Sequence, residues 1–240
     1  MDVHVFADAE ALAVAAAELF RARVAATPGL AVAVPAGRTP RRMYALMHAL
    51  QADAPVDFTR MRVFSVDELC PPAPVDGYFW RQIQKEFVSW TGVPSARCRP
   101  FAVDAADLAG MCEDYEAAIA EAGGLDLVML GLGLNAHIAC HEPRADFTTR
   151  TCPVRLVPET VDYILTDAVI QGAVCDRAVT LGVQTIMAAR EVVLLVSGAA
   201  KRAPLTAALR GPVTPDVPAS ILQLHPNCIV LADKAAAPGR

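Results

Sequence analysis

Asp126–Pro143 reads DLVMLGLGLNAHIACHEP, an apolar run that gives way to glycines and then to titratable side chains. A strand with one wet face alternates polar and apolar residues. This run does not, and neither do LAVAV (Leu30–Val34) or EVVLLV (Glu191–Val196). Strands apolar on both faces are those of a parallel sheet covered by helices on each side. Working outward, the same reading predicts strands at Val3–Phe6, Leu30–Val34, Arg62–Val66, Leu125–Leu130, Ala178–Val183, Val192–Val196 and Cys228–Leu231. Amphipathic helices are expected between them at Ala9–Ala25, Thr39–Leu50, Tyr78–Val88, Leu108–Ala122 and Lys201–Leu209. The alternation predicts an α/β fold: a doubly wound, mostly parallel sheet flanked by helices, Rossmann-like. With no repeat or linker evident, residues 1–240 read as one domain. Pro71–Asp76 (PPAPVD) reads as a loop and Ala235–Arg240 as a loose tail.

Composition narrows the partners. The 240 residues are 54% hydrophobic and 20% charged, ample for a buried core. A net charge of −5 argues against nucleic acid and anionic membranes, both of which call for a dense basic surface. The longest charge-free stretch, Val217–Ala232, has 16 residues, two prolines and a histidine, too few apolar residues to span a bilayer. The acidic start MDVHVFADAE carries no basic-then-apolar leader, which predicts a cytoplasmic protein. The seven cysteines include no C-x-x-C pair and read as small buried hydrophobes rather than a disulfide framework.

In open α/β sheets ligands sit beyond the carboxyl ends of the strands. Four such places are chemically loaded. After LAVAV comes Gly37-Arg38-Thr39-Pro40: Thr39 suits an N-cap and Pro40 the first helical position, making an anion site at a helix N-terminus with Arg38 beside it. At the end of the third strand Asp67 and Glu68 are adjacent. Neighbouring strand residues face opposite ways, so one can face a cleft while the other caps or pairs. After EVVLLV comes Ser197-Gly198-Ala199-Ala200-Lys201. Lys201 is one of three lysines against eighteen arginines and could meet an anionic group.

Gly131–Pro143 carries three competing readings. Gly131-x-Gly133-x-x-Ala136 imitates a dinucleotide fingerprint, but Pro143 blocks the long helix such a motif must open. His137 and His141 are four apart, with Cys140 and Glu142 alongside, a spacing that suits a metal on a helical turn. The third reading is acid–base chemistry by His137 oriented by Glu142, with glycines that let backbone press against a ligand.

Taken in order, these motifs make the chain resemble the glucosamine-6-phosphate deaminase (isomerase) and 6-phosphogluconolactonase family. The likeness runs through GRTP-x3-Y (Gly37–Tyr44), VFSVDE (Val63–Glu68), LGLGLNAHIACHEP (Leu130–Pro143), LGVQTIMAAREVVLLVSGAAK (Leu181–Lys201) and PASILQLHPNCIVLADKAA (Pro218–Ala236). His137, Ile138, Ala139, Glu142 and Pro143 follow the H-I-A-x-N-E-P segment of the deaminase branch. The resemblance implies isomerisation of an amino-sugar 6-phosphate with release of ammonia and no metal or organic cofactor. Asp67 would shuttle a proton between C2 and C1, and His137 would open the ring, held from positions 135 and 142. Gly37, Arg38, Thr39 and Lys201 would hold the phosphate. A homo-oligomer is compatible with the resemblance, and no interface is readable.

Three departures bear on the site. Asn135 stands where the family has Asp, so it can orient an imidazole but cannot neutralise an imidazolium, which predicts a weaker base at His137. Ala136 replaces Gly, and His141 replaces the Asn of N-E-P. Thr160–Val174 lacks the arginine that family deaminases add to the phosphate site, while Arg38 occupies a small-residue position. A lactone hydrolase with His137 activating water, and a catalytically weak sugar-phosphate-binding protein, stand as alternatives.

Overall fold

The computed structural model describes residues 1–70, 77–167 and 176–239. Pro71–Asp76, expected as a loop, lies outside the described residues. Ten strands form two sheets. They are β1 (Asp2–Phe6), β2 (Ala31–Val34), β3 (Arg62–Ser65), β4 (Asp67–Leu69), β5 (Cys98–Arg99), β6 (Leu127–Gly131), β7 (Cys152–Arg155), β8 (Arg177–Thr180), β9 (Glu191–Val196) and β10 (Cys228–Asp233). The main sheet has seven parallel strands in the order β1-β10-β9-β6-β2-β3-β5. Its central members β2, β6 and β9 are buried on both faces, as their unbroken apolar runs require.

Alternate strand residues feed two cores. Ala31, Ala33, Val128, Leu130, Val192 and Leu194 belong to one; Val32, Val34, Leu127, Met129, Val193 and Leu195 belong to the other. The second core is closed by α1 (Ala9–Ala26), α2 (Arg38–Leu50) and α3 (Phe79–Ile83). From α3 the chain continues through a π-turn at Gln84–Val88 into α4 (Ser89–Thr91). The first core is closed by α5 (Leu108–Glu121), α7 (Val183–Met187) and α8 (Arg202–Arg210), with α6 (Pro158–Leu165) lying near the small sheet. Helices on both faces make the sheet doubly wound, as expected.

Two expectations are corrected. The strand anticipated at Ala178–Val183 does not join the parallel sheet. It is β8, the middle strand of an antiparallel sheet ordered β4-β8-β7. A short apolar run reads alike in either sheet, and pairing direction is a long-range matter. The expected loose tail is pinned instead: Ala236 is buried, and Arg202 and Arg210 donate to the carbonyls of Ala235 and Gly239. The six described cysteines are free thiols; Cys175 lies outside the described residues. No helix among the described residues is long and apolar enough to cross a membrane.

The small sheet matters for the site. The chain leaves β3 at Val66, whose N–H still donates to Val34 in the main sheet and whose carbonyl accepts from Leu181 beyond β8. Asp67 is therefore the first residue after the chain steps from one sheet to the other, anchored on both sides. A third cluster of buried side chains, including Leu69, Phe79, Cys140 and Leu156, fills the space beneath.

Candidate active site

A cavity of about 180 Å³ opens beyond the carboxyl ends of β2, β3, β6 and β9. Successive strands run outward in one direction from β2 and in the other from β6, so the loops after these neighbours diverge and leave a crevice. Gly37, Arg38, Thr39, Asp67, Gly133, His137 and Lys201 all line it, bringing together residues scattered over more than half the chain.

One end is cationic. α2 begins at Arg38 rather than at Pro40: Gly37 is the N-cap, at φ 104°, a backbone that other residues rarely adopt. Thr39 is thus within the first turn and does not cap it. Among the described residues no side chain caps this helix, so the amides of its first turn face the cavity. Gln82, which the sequence did not single out, locks the loop: its amide accepts from the Gly37 N–H at 3.2 Å and donates to the Gly37 carbonyl at 3.0 Å. Arg38 and Lys201 flank one ring, each with its charge 5.0 Å from the centre of Tyr163 on α6. Arg38 also donates to Thr166 and lies 3.8 Å from the carboxylate of Asp167, which Arg41 approaches to 3.4 Å. Burial and the neighbouring Arg38 bring the Lys201 ammonium down to about 8.

The other end holds the titratable pair. Asp67 faces the cavity while Glu68 points away, as the alternation along a strand demands. Burial, reinforced by the adjacent Glu68, pushes Asp67 up to about 7. Glu68 is fully buried and caps the start of α3, accepting from the N–H groups of Leu69, Tyr78, Phe79 and Trp80 at 2.8–3.0 Å. It is a structural cap and not a lining residue.

His137 sits on a loop and not on a helical turn; between β6 and β7 the chain makes turns and an isolated bridge, Ile138 to His141. Ala136 (φ 65°) and Ala139 (φ 49°) adopt left-handed backbone on either side of it. Each costs about 1–2 kcal/mol for a residue with a Cβ, which accounts for glycine at position 136 in the family pattern. Gly133 is required for a different reason than expected. A Cβ there would lie 2.2 Å from His137 Nδ1, so the glycine makes room for the imidazole as much as for a ligand.

His137 Nδ1 lies 2.8 Å from Asn135 Oδ1, which also accepts the His137 backbone N–H at 3.2 Å. Asn135 Nδ2 in turn donates to Glu142 Oε2 at 2.6 Å. With its amide nitrogen committed, Asn135 can only accept from the ring, so Nδ1 carries the proton and Nε2 is left for the cavity. Glu142 is 3.7 Å from Nδ1, and its direct hydrogen bond goes to the intervening amide. Burial lowers the affinity of His137 for a proton, Glu142 opposes this, and Lys201 and His141 add to it.

The remaining candidates fall outside the cavity lining. His141 is buried and donates through Nε2 to the Leu181 carbonyl at 2.7 Å, so it is not a partner of His137 in a metal site. Among the described residues no group of three or more His, Cys, Asp and Glu is placed to hold a metal ion. The helix required by a dinucleotide fingerprint is absent after Gly131. Ala136 is buried in the core beneath. Cys140, noted only beside the histidines of a possible metal site, lines the cavity, as do Tyr163 and Asp167, which were not anticipated. A tyrosine or aspartate with no motif around it carries no signal in one sequence.

Residues 7–230 match the model of the glucosamine-6-phosphate isomerase/6-phosphogluconolactonase family. The chain belongs to that family. It is 36% identical to a glucosamine-6-phosphate deaminase of Cutibacterium acnes, covering 99% of this chain and 91% of that one. It is 34% identical to another of Shouchella clausii, covering 93% and 90%. Among solved structures, a monomeric glucosamine-6-phosphate deaminase superposes with a TM-score of 0.92 at 28% identity, covering 98% of both chains. The 6-phosphogluconolactonase of Trypanosoma brucei shares the fold, with a TM-score of 0.73 at 21% identity over 98% of this chain and 97% of that one. As a member of this family the chain is an enzyme.

Proposed function

We propose that this chain deaminates and isomerises an amino-sugar 6-phosphate, converting glucosamine-6-phosphate and water into fructose-6-phosphate and ammonia. The observation that carries the reading is that Asp67, poised near neutrality, and His137, with Nε2 unprotonated, line one cavity whose other end gathers Arg38, Lys201 and a helix N-terminus. The phosphate would sit at the cationic end, held by the amides after Gly37 and by the two cations. His137 Nε2 would take the proton of the C1 hydroxyl and return one to the ring oxygen, opening the pyranose. Asp67 would then remove the proton from C2, leaving an enolamine, and deliver a proton to C1. The resulting C2 imine adds water and expels ammonia, leaving the ketone. Holding a carboxylate beside the C–H bond is the main demand of carbon-acid chemistry, and burial keeps Asp67 basic enough for it. The reading takes the whole chain as one domain acting in the cytoplasm.

The test is a coupled ammonia assay with glucosamine-6-phosphate and galactosamine-6-phosphate, with Asp67→Asn as control and 6-phosphogluconolactone in a parallel hydrolysis assay. Ammonia release that vanishes in the variant supports the proposal. Lactone hydrolysis without ammonia replaces it by the hydrolase reading. Ligand-induced stabilisation with no turnover replaces it by a binding protein.

A further inference from the structure

We propose that Cys140 is a positioning residue for Asp67: its thiol donates to one carboxylate oxygen and leaves the other for the substrate. The proposal rests on the reading of Asp67 as the base that moves the C2 proton. Cys140 Sγ lies 3.6 Å from Asp67 Oδ2, and among the described residues it is the donor within hydrogen-bond reach of that carboxylate. Without such a donor, a carboxyl group in a cavity is free to rotate both oxygens past the substrate.

The thiol is itself held in place. Thr180 is the partner of Asp67 across the β4–β8 ladder, and its hydroxyl accepts the Cys140 backbone N–H at 3.1 Å. Thus the residue opposite Asp67 fixes the backbone of the residue that touches Asp67. The left-handed turn at Ala139 brings Cys140 into this position, and the side chain packs with Leu69, Phe79 and Leu156. Burial and the neighbouring carboxylate push the thiol well above its ordinary range, so it stays protonated and serves as a donor rather than a nucleophile.

Among the described residues, the charged or titratable groups around Asp67 include Glu68 next along β4, Tyr115 from α5, His137 on the same loop as Cys140, and, across the cavity, Lys201 after β9 with Arg38, Tyr163 and Asp167. Glu68 acts to raise Asp67, whereas the thiol acts to lower it. Removing the thiol therefore moves the Asp67 titration upward.

The experiment compares wild type, Cys140→Ala and Cys140→Ser in two readouts. One is the pH dependence of kcat/KM for glucosamine-6-phosphate. The other is NMR titration of protein labelled at its aspartate carboxyls, with the Asp67 signal assigned by its loss in Asp67→Asn. In Cys140→Ala the Asp67 titration and the acidic limb of the profile should both move up by about half a pH unit, with about a twofold loss of kcat/KM near neutrality and about a threefold loss well below it. Cys140→Ser, which keeps a donor, should return both towards wild type. An unmoved Asp67 titration in Cys140→Ala, or an equal displacement in Cys140→Ser, overturns the inference. If the NMR shift occurs but no amino sugar yields ammonia, the reading of the reaction fails while the thiol–carboxylate contact stands.

Discussion

At the scale of single residues the site depends on small changes in protonation. In the proposed mechanism Asp67 acts as a base only when ionised, so activity should fall as pH drops through about 7. Lys201 would attract a phosphate only when protonated, so activity should also fall as pH rises through about 8. A plot of kcat/KM against pH should therefore be a narrow bell, and Lys201→Met should raise KM and remove the alkaline limb. The His137 ring needs the space above Gly133. Gly133→Ala should displace the imidazole by enough to lower kcat about 100-fold, with the fold intact by circular dichroism. Asn135 shows what residue identity alone reveals. That it orients His137 without neutralising it followed from its chemistry. That Glu142 reaches the ring through the Asn135 amide followed only from their positions.

At the scale of elements, α6 and the start of α2 share their charges. Asp167, just beyond α6, pairs with Arg38 and Arg41, and so would compete with a phosphate for Arg38, the one of the two that lines the cavity. The segment that supplies an arginine in family deaminases here carries a carboxylate. Asp167→Asn should release Arg38 from its carboxylate partner, while Arg41 stays paired with Glu86 at 2.8 Å, and lower KM about fivefold at low ionic strength, an advantage that shrinks as salt is added. A KM that rises would mean that Asp167 orients Arg38 instead of occupying it. Glu68 belongs to this scale as well. Removing a cap that accepts three N–H groups at the start of α3, as well as that of Leu69, should cost about 2 kcal/mol, measured by denaturant unfolding of Glu68→Ala. Three long helices were legible, within a residue or so, from apolar spacing: Ala9–Ala26, Arg38–Leu50 and Leu108–Glu121; the short α6 and α7 were not. The start of α2 was misplaced because Thr39-Pro40 is a good helix opening on local grounds. The glycine before Arg38 takes a backbone conformation that starts the helix earlier.

At the scale of the whole molecule, a chain of net charge −5 sets two cations, Arg38 and Lys201, beside an uncapped helix start at one end of a crevice. Anion binding is therefore local and should couple to global stability. A sugar phosphate at about 100 times its Kd should stabilise the fold by about 2.7 kcal/mol, raising Tm by about 5–10 °C for a chain of this size. Differential scanning fluorimetry checks this, and Arg38→Ala should reduce the shift.

Both-face apolar runs at β2, β6 and β9 determined the parallel sheet, because a strand buried on each side has nowhere to put a polar residue. The order of motifs likewise pointed to Asp67, His137, Lys201 and the loop at Gly37 as one candidate site, and all of them line a single cavity. Pairing across long stretches of chain is not written in local pattern. Only the tertiary structure decided that β8 turns antiparallel against β4, setting Thr180 opposite Asp67 and Cys140 beside it. Only it decided that His141 turns into the protein to meet the Leu181 carbonyl. The physical reason is common to both: a residue's type specifies the contacts it can make, while the fold specifies which partners arrive within reach.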